Sequence, residues 1–305
     1  MTIARRQTLV VALLTLAVLG LSAQDSRDIS SGPSISPGLY SLSVEGVLDS
    51  GVQLLPASSL GLFYRISGGN SGAGYYRDAG LNFLDAGAYT EELADYRRWF
   101  VDAGLGIRQY LSASFPLQLI ADMRTRVDWH VTDPEAPGIQ TVFAAGTTDG
   151  GEPLADASGG LRNSLLLGLA LSDDGTSRVG QSPGYRVEAS AEWGPAWLGN
   201  EVYGASDFLR LNAVATALVP LAESDELAAT PWFLTLGLYG IADEAIGLGS
   251  GPEIRSIPLE VLSGFGGTSP RSGLGGTVRG VEAGRFDAAR KLAASLELRL
   301  TASLL

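Results

Sequence analysis

The chain has 305 residues, no cysteine, a single histidine and a formal net charge of −12. The missing cysteines exclude a disulfide framework, and with one histidine they argue against any soft-ligand metal site, leaving carboxylate-bound calcium as the one metal option. So acidic a chain lacks the Lys/Arg patches that nucleic-acid phosphates demand, which excludes nucleic acid as a partner.

The first residues set the compartment. Arg5 and Arg6 precede an apolar run from Leu9 to Leu21, and small residues end at Ala23. That order reads as a secretory signal peptide over 1–23, too short for a membrane-spanning helix of roughly 20 apolar residues. Residues 24–37, “QDSRDISSGPSISP”, are Ser/Pro-rich and read as a polar linker. The remainder, 38–305, reads as one β domain. Strands are expected near 38–48, 57–66, 75–84, 100–112, 117–129, 161–172, 185–193, 207–220, 231–242, 254–263 and 291–304, about twelve in all. “YTEELADYRRWF” (89–100) reads as a loop, with a helical turn or two as the other option.

Period two dominates these segments. Leu117, Leu119, Ala121, Met123, Thr125, Val127 and Trp129 alternate with Gln118, Ile120, Asp122, Arg124, Arg126 and Asp128. Tyr185, Val187, Ala189, Ala191 and Trp193 alternate with Arg186, Glu188, Ser190 and Glu192. The leucines from Leu292 to Leu304 alternate with Lys291, Ser295, Glu297, Arg299, Thr301 and Ser303. Successive strand side chains point to opposite faces, so each segment has one apolar and one polar face. A soluble sandwich usually does this over five or six residues, whereas a tilted membrane-spanning strand needs about 9–11. These runs reach that length, and Trp129, Tyr185, Trp193, Trp197, Trp232 and Phe233 fall near strand ends, as interfacial girdles require. The expected fold is therefore all-β, a transmembrane antiparallel β-barrel in an outer membrane, with lipid as a partner. Glycines inside strands (Gly104, Gly106, Gly168) are expected where the wall bends or where a loop approaches closely from inside. His130, beside Trp129 at a strand end, reads as an interfacial polar residue, and no catalytic residue or cofactor is expected.

“GLGGTVRGVEAGRF” (273–286) breaks the alternation. Its glycines lead into a strand, so it lacks the strand–loop–helix context of a phosphate loop. A plain hairpin loop is the default reading. A more specific one comes from its surroundings. “LGGTVRGV” (274–281) followed by “AASLELRL” (293–300) resembles the Gly-Gly … Arg-Gly signature and the next, Glu-containing strand of BamA/TamA-type outer-membrane assembly barrels, the bacterial surface antigen family. Residues 165–199 followed by “FLRLNAVATALVPL” (208–221) are similar to the strand, turn and strand that precede that signature. The two blocks lie within residues 161–305.

The resemblance implies a sixteen-stranded barrel whose Arg-Gly loop folds back into the lumen. Carried onto this chain, the loop motif is Gly275, Gly276, Val278, Arg279 and Gly280, and the wall acid that pairs with Arg279 is Glu297. Parity independently puts Glu297 on the polar face with Lys291, Ser295 and Arg299. Three departures stand out: Val281 replaces the aromatic that commonly follows Arg-Gly, only 24–37 stand where the family carries POTRA domains, and the family's last strands are lacking. The implied function is not enzymatic. It is outer-membrane protein assembly, insertion or export in a diderm bacterium, with unfolded outer-membrane proteins and periplasmic proteins as partners. The alternative is a passive outer-membrane channel or structural barrel.

Overall fold

The computed structural model describes residues 26–36, 39–55, 60–74, 95–112, 114–130, 160–174, 184–200, 206–224, 232–249, 256–268 and 288–302. They form one ten-stranded antiparallel sheet in simple meander order. Its strands are β1 (Ser26–Ser36), β2 (Leu39–Asp49), β3 (Gly61–Gly74), β4 (Asp95–Tyr110), β5 (Leu117–His130), β6 (Gly160–Asp174), β7 (Gly184–Gly194), β8 (Phe208–Glu223), β9 (Trp232–Gly247) and β10 (Arg290–Ala302). Among the described residues no ladder joins β10 to β1, so the sheet is open there.

Several expectations are corrected. Ten strands stand among the described residues in place of about twelve. Residues 26–36, read as linker, form β1 and pair with β2 from Ser26 opposite Leu48 to Ser36 opposite Leu39. A ladder is made by backbone groups, so a serine-rich edge strand can add to a sheet without alternating side chains. Residues 95–100, read as loop, extend the start of β4. Among the described residues of the strand expected at 254–263, 256–263, there is no strand; a short helix, α1 (Leu259–Ser263), stands there instead, entered from Pro258. Proline is pre-set for a helix start and cannot donate to a ladder, which decides between the two. The strand expected at 75–84 lies outside the described residues.

The meander places its connections at two ends. Residues 50–60, 111–116, 175–183 and 224–231 join strands at one end, and 75–94, 131–159, 195–207 and 248–289 join them at the other, together with the tight 37–38 link. The first group is short and the second mostly long.

The two faces differ in an unusual sense. On one, Leu105, Met123, Leu165, Leu167, Leu169, Leu211, Leu292, Leu296, Leu298 and Leu300 are exposed. On the other, Arg65, Arg108, Asp122, Arg124, Asp128, Arg162, Glu188, Arg210, Asp243 and Lys291 are buried. Soluble folds almost never fully bury such charges while exposing rows of leucine. The parity expected for 117–129 is found over its described side chains, 117–128, and that expected for 185–193 and 291–302 is found as well.

Candidate functional site

The buried face is a lattice of paired charges. Arg65 donates to Asp102 at 2.8 Å, and Arg126 holds Asp128 through Nε at 2.7 Å and Nη2 at 2.8 Å. Arg162 Nη2 donates to the same Asp128 at 2.6 Å and also pairs with Glu260. Arg108 grips Asp122 with both Nη groups and stacks 4.0 Å over the Phe63 ring. Arg124 lies between Asp122 and Glu192, whose Oε1 accepts from Ser164 at 2.6 Å. Register explains the lattice: Asp122 stands opposite Gly106 and Leu166, and Glu192 opposite Leu166 and Arg210, so charges from adjacent strands meet on one side. A glycine at 106 is required because a Cβ there would overlap the Asp122 carboxylate.

Over this wall lies residues 256–268, part of the β9–β10 connection. The segment touches the wall residues of six strands. Arg124 of β5 donates to the Gly267 and Thr268 carbonyls, each at 3.0 Å. Arg162 of β6 reaches Glu260. Glu188 of β7 accepts from Thr268 Oγ1 at 2.7 Å and Thr268 N at 3.3 Å, while Arg186 donates to the same hydroxyl at 3.2 Å. Arg210 of β8 donates to the Gly264 carbonyl, Asp243 of β9 accepts from Gly266 N at 3.1 Å, and Lys291 of β10 donates to the Val261 and Leu262 carbonyls at 2.7 and 3.0 Å. In a flat sheet β5 and β10 would lie roughly 24 Å apart, five strand spacings. The segment, with the Lys291 and Arg124 side chains reaching to it, covers that span of the charged face.

The chemistry of this docking follows from the segment's backbone. The last carbonyls of α1 have no intrahelical donor: Lys291 donates to those of Val261 and Leu262, Ala288 N also donates to Leu262 at 3.2 Å, and Arg210 donates to Gly264 just beyond. Asp243 then bridges both cations: it accepts Arg210 Nε at 3.0 Å and lies 3.0 Å from Lys291 Nζ. Apolar packing adds to this. Phe265 is buried among Val214, Ile241 and Ala293, and Ile257, Val261 and Leu262 pack on Phe208 and Ala245. Each such side chain contributes about 1.5–3 kcal/mol when fully buried. At Gly168 the segment comes close to β6, since a Cβ there would sit 3.1 Å from Thr268 Cγ2. That meets the expectation of a strand glycine under an inward loop.

Of the site residues expected from sequence, Gly275, Gly276, Val278, Arg279 and Gly280 lie outside the described residues. Glu297 lies on the charged face with Lys291 and Ser295, and accepts from Arg299 Nε at 2.8 Å. Of the same connection, the described part upstream of the motif, 256–268, lies against the charged face. His130 ends β5 opposite Arg98 in register, and its side chain lies outside the described residues. The one Gly-x-Ser-x-Gly spelling, Gly180 to Gly184, runs into strand β7 and not into the helix that a nucleophile elbow requires. Sequence reasoning assigned Arg124, Glu188 and Lys291 to the polar face but gave no role to Asp243, Arg210 or Thr268. The punctuation Pro258, Gly264, Gly266 and Gly267 was the available signal that 256–268 is no strand.

In comparisons with known proteins, no family model, no curated protein and no solved structure matches this chain.

Proposed function

We propose that the chain is the wall of an outer-membrane β-barrel that acts in the assembly, insertion or export of outer-membrane proteins, with the β9–β10 connection as an internal anchor. The observation that carries the membrane reading is the inverted polarity of the sheet, leucines outward and paired charges inward. Two further features support it. Exposed Phe115, Tyr185 and Trp232 fall at the short-connection end, and exposed Trp193 and Trp197, packed edge to face at 5.7 Å, fall at the other. From Tyr185 to Trp193 along β7 is roughly 26 Å at about 3.3 Å per residue, or about 20 Å vertically at a tilt near 40°, close to the apolar band of such barrels. Short turns then face the periplasm and long connections the exterior, the usual arrangement.

The assembly role rests on the resemblance of 274–281 and 293–300 to the Arg-Gly signature and its following strand. β10 offers a ladder edge of the kind that substrate strands pair with. Against the passive-channel alternative stands the 256–268 segment, which covers the inner face from β5 to β10.

The test is reconstitution of the full chain into lipid vesicles, followed by the refolding rate of a second, unrelated outer-membrane barrel. Acceleration over protein-free vesicles is expected. A steady single-channel conductance without any acceleration overturns the assembly role in favour of the channel.

A further inference from the structure

The leucine face of β7–β10 is not uniformly ridged. Ala213, Ala215 and Ala217 of β8, Ala242 and Gly240 of β9, and Ala294 of β10 form a sunken floor. Leu167, Leu169, Leu211 and Leu292 wall its upper part, a hollow of about 740 Å³. Val187, Leu238 and Leu296 flank its lower part, about 640 Å³. The parts are continuous, because Ala213 and Ala215, Ala242 and Gly240, and Leu292 and Ala294 are successive positions on one face. The groove therefore runs along the strands, from the Glu244–Arg290 level to Leu238. That is roughly 20 Å of strand, or about 15 Å of depth at a tilt near 40°, half the hydrocarbon thickness of a bilayer.

One charged pair stands at its head. Glu244 and Arg290 are register partners on the leucine face, one step below the level of Trp193. Arg290 donates Nε to Glu244 Oε1 at 2.7 Å, while its side chain is 84% exposed. Glu244 fixes the guanidinium by one edge and leaves the Nη donors directed to the surroundings, a fork suited to a phosphate.

We propose that this groove holds one phosphate-bearing anionic lipid of the outer leaflet, its headgroup phosphate on Arg290 and an acyl chain along the Ala213–Ala217 floor. The inference rests on the membrane reading above. The guanidinium selects the occupant: Glu244 takes its Nε, the remaining Nη donors of the exposed side chain suit a phosphate, and the groove is as deep as one leaflet.

The test uses the full chain in vesicles of phosphatidylcholine containing phosphatidylglycerol, extracted in mild detergent, with retained lipid read by native mass spectrometry. Preferential retention of phosphatidylglycerol is expected for the parent chain. In Arg290→Gln that preference should fall about fivefold, the worth of one basic residue near an anionic surface. Ala242→Phe, which fills the floor, should reduce retention of both lipids. Arg290 is exposed, so its variant folds, and its ratio decides alone if Ala242→Phe does not fold. An unchanged preference in Arg290→Gln overturns the site. So does displacement of the lipid by inorganic phosphate, or a stable dimer that Ala242→Phe dissociates. A chain that inserts but shows no preference refutes this site alone, whereas one that fails to insert refutes the membrane reading with it.

Discussion

Replacing Asp243 by Asn removes a charge from a carboxylate that solvent does not reach, and leaves its shape in place. The parent carboxylate accepts from Arg210 at 2.9, 3.0 and 3.1 Å, from Asn212 at 3.0 Å and from Gly266 N at 3.1 Å, and Lys291 Nζ lies 3.0 Å away. The side chains of Arg210 and Lys291 are 7% and 1% exposed, so neither cation can recover its hydration. Breaking a buried pair by removing one partner typically costs about 3–5 kcal/mol. Here both cations keep carbonyl acceptors on 261, 262 and 264, which offsets part of the loss, so about 3 kcal/mol is expected. Guanidinium unfolding of the vesicle-folded protein, followed by tryptophan fluorescence, measures it. Protease cleavage within 256–268 should rise in parallel. Adding Lys291→Met removes one stranded cation and should restore about 1 kcal/mol or more. A loss below about 1 kcal/mol, the level of an exposed ion pair, would refute the reasoning.

Leu167→Arg places a charge at the centre of β6 on the exposed leucine face. In a bilayer it should destabilise by about 2–4 kcal/mol, whereas on a water-exposed face the change would stay within about 0.5 kcal/mol. Vesicle unfolding titrations separate the two, and a near-neutral result sinks the membrane face. The proposed Arg279–Glu297 latch calls for a double-mutant cycle. The half-exposed Arg299 pair accounts for at most about 1 kcal/mol of a Glu297→Gln loss. Coupling above about 1 kcal/mol between Glu297→Gln and Arg279→Ala is expected, and additivity within about 0.5 kcal/mol excludes direct pairing.

The parity of the sheet was legible because a strand's side chains alternate rigidly. Asp122, Arg124, Glu188 and Lys291 could be assigned to one face without any knowledge of what covers it. Gly168 was legible for a related reason, since a glycine amid leucines signals something close by. β1 was not, because its ladder with β2 is a backbone interaction and leaves no side-chain period in “SRDISSGPSIS”. Residues 256–268 were misread for a different reason. Ile257, Val261, Leu262 and Phe265 are apolar at spacings that also fit a strand, and their seat is built from strands far away in sequence. The charges of that seat looked like an ordinary polar face, and only the fold reveals that they grip backbone carbonyls.

How the segment is held also says which part of the wall it can stiffen. Its apolar contacts fall on Phe208, Val214, Ile241, Ala245 and Ala293, all in β8–β10, and its contact with β10 comes through Lys291 and Ala293. Beyond Ala293 the charged-face side chains of β10 pass from buried to partly exposed at Ser295 and Glu297, and to exposed at Arg299. The edge strand is therefore braced in its first half only. Local opening is easiest where buried contacts are fewest. On that ground the stretch from Ser295 to Ala302, at the short-connection end, is the part of the edge that yields first, and in the proposed orientation that end would face the compartment from which substrates arrive.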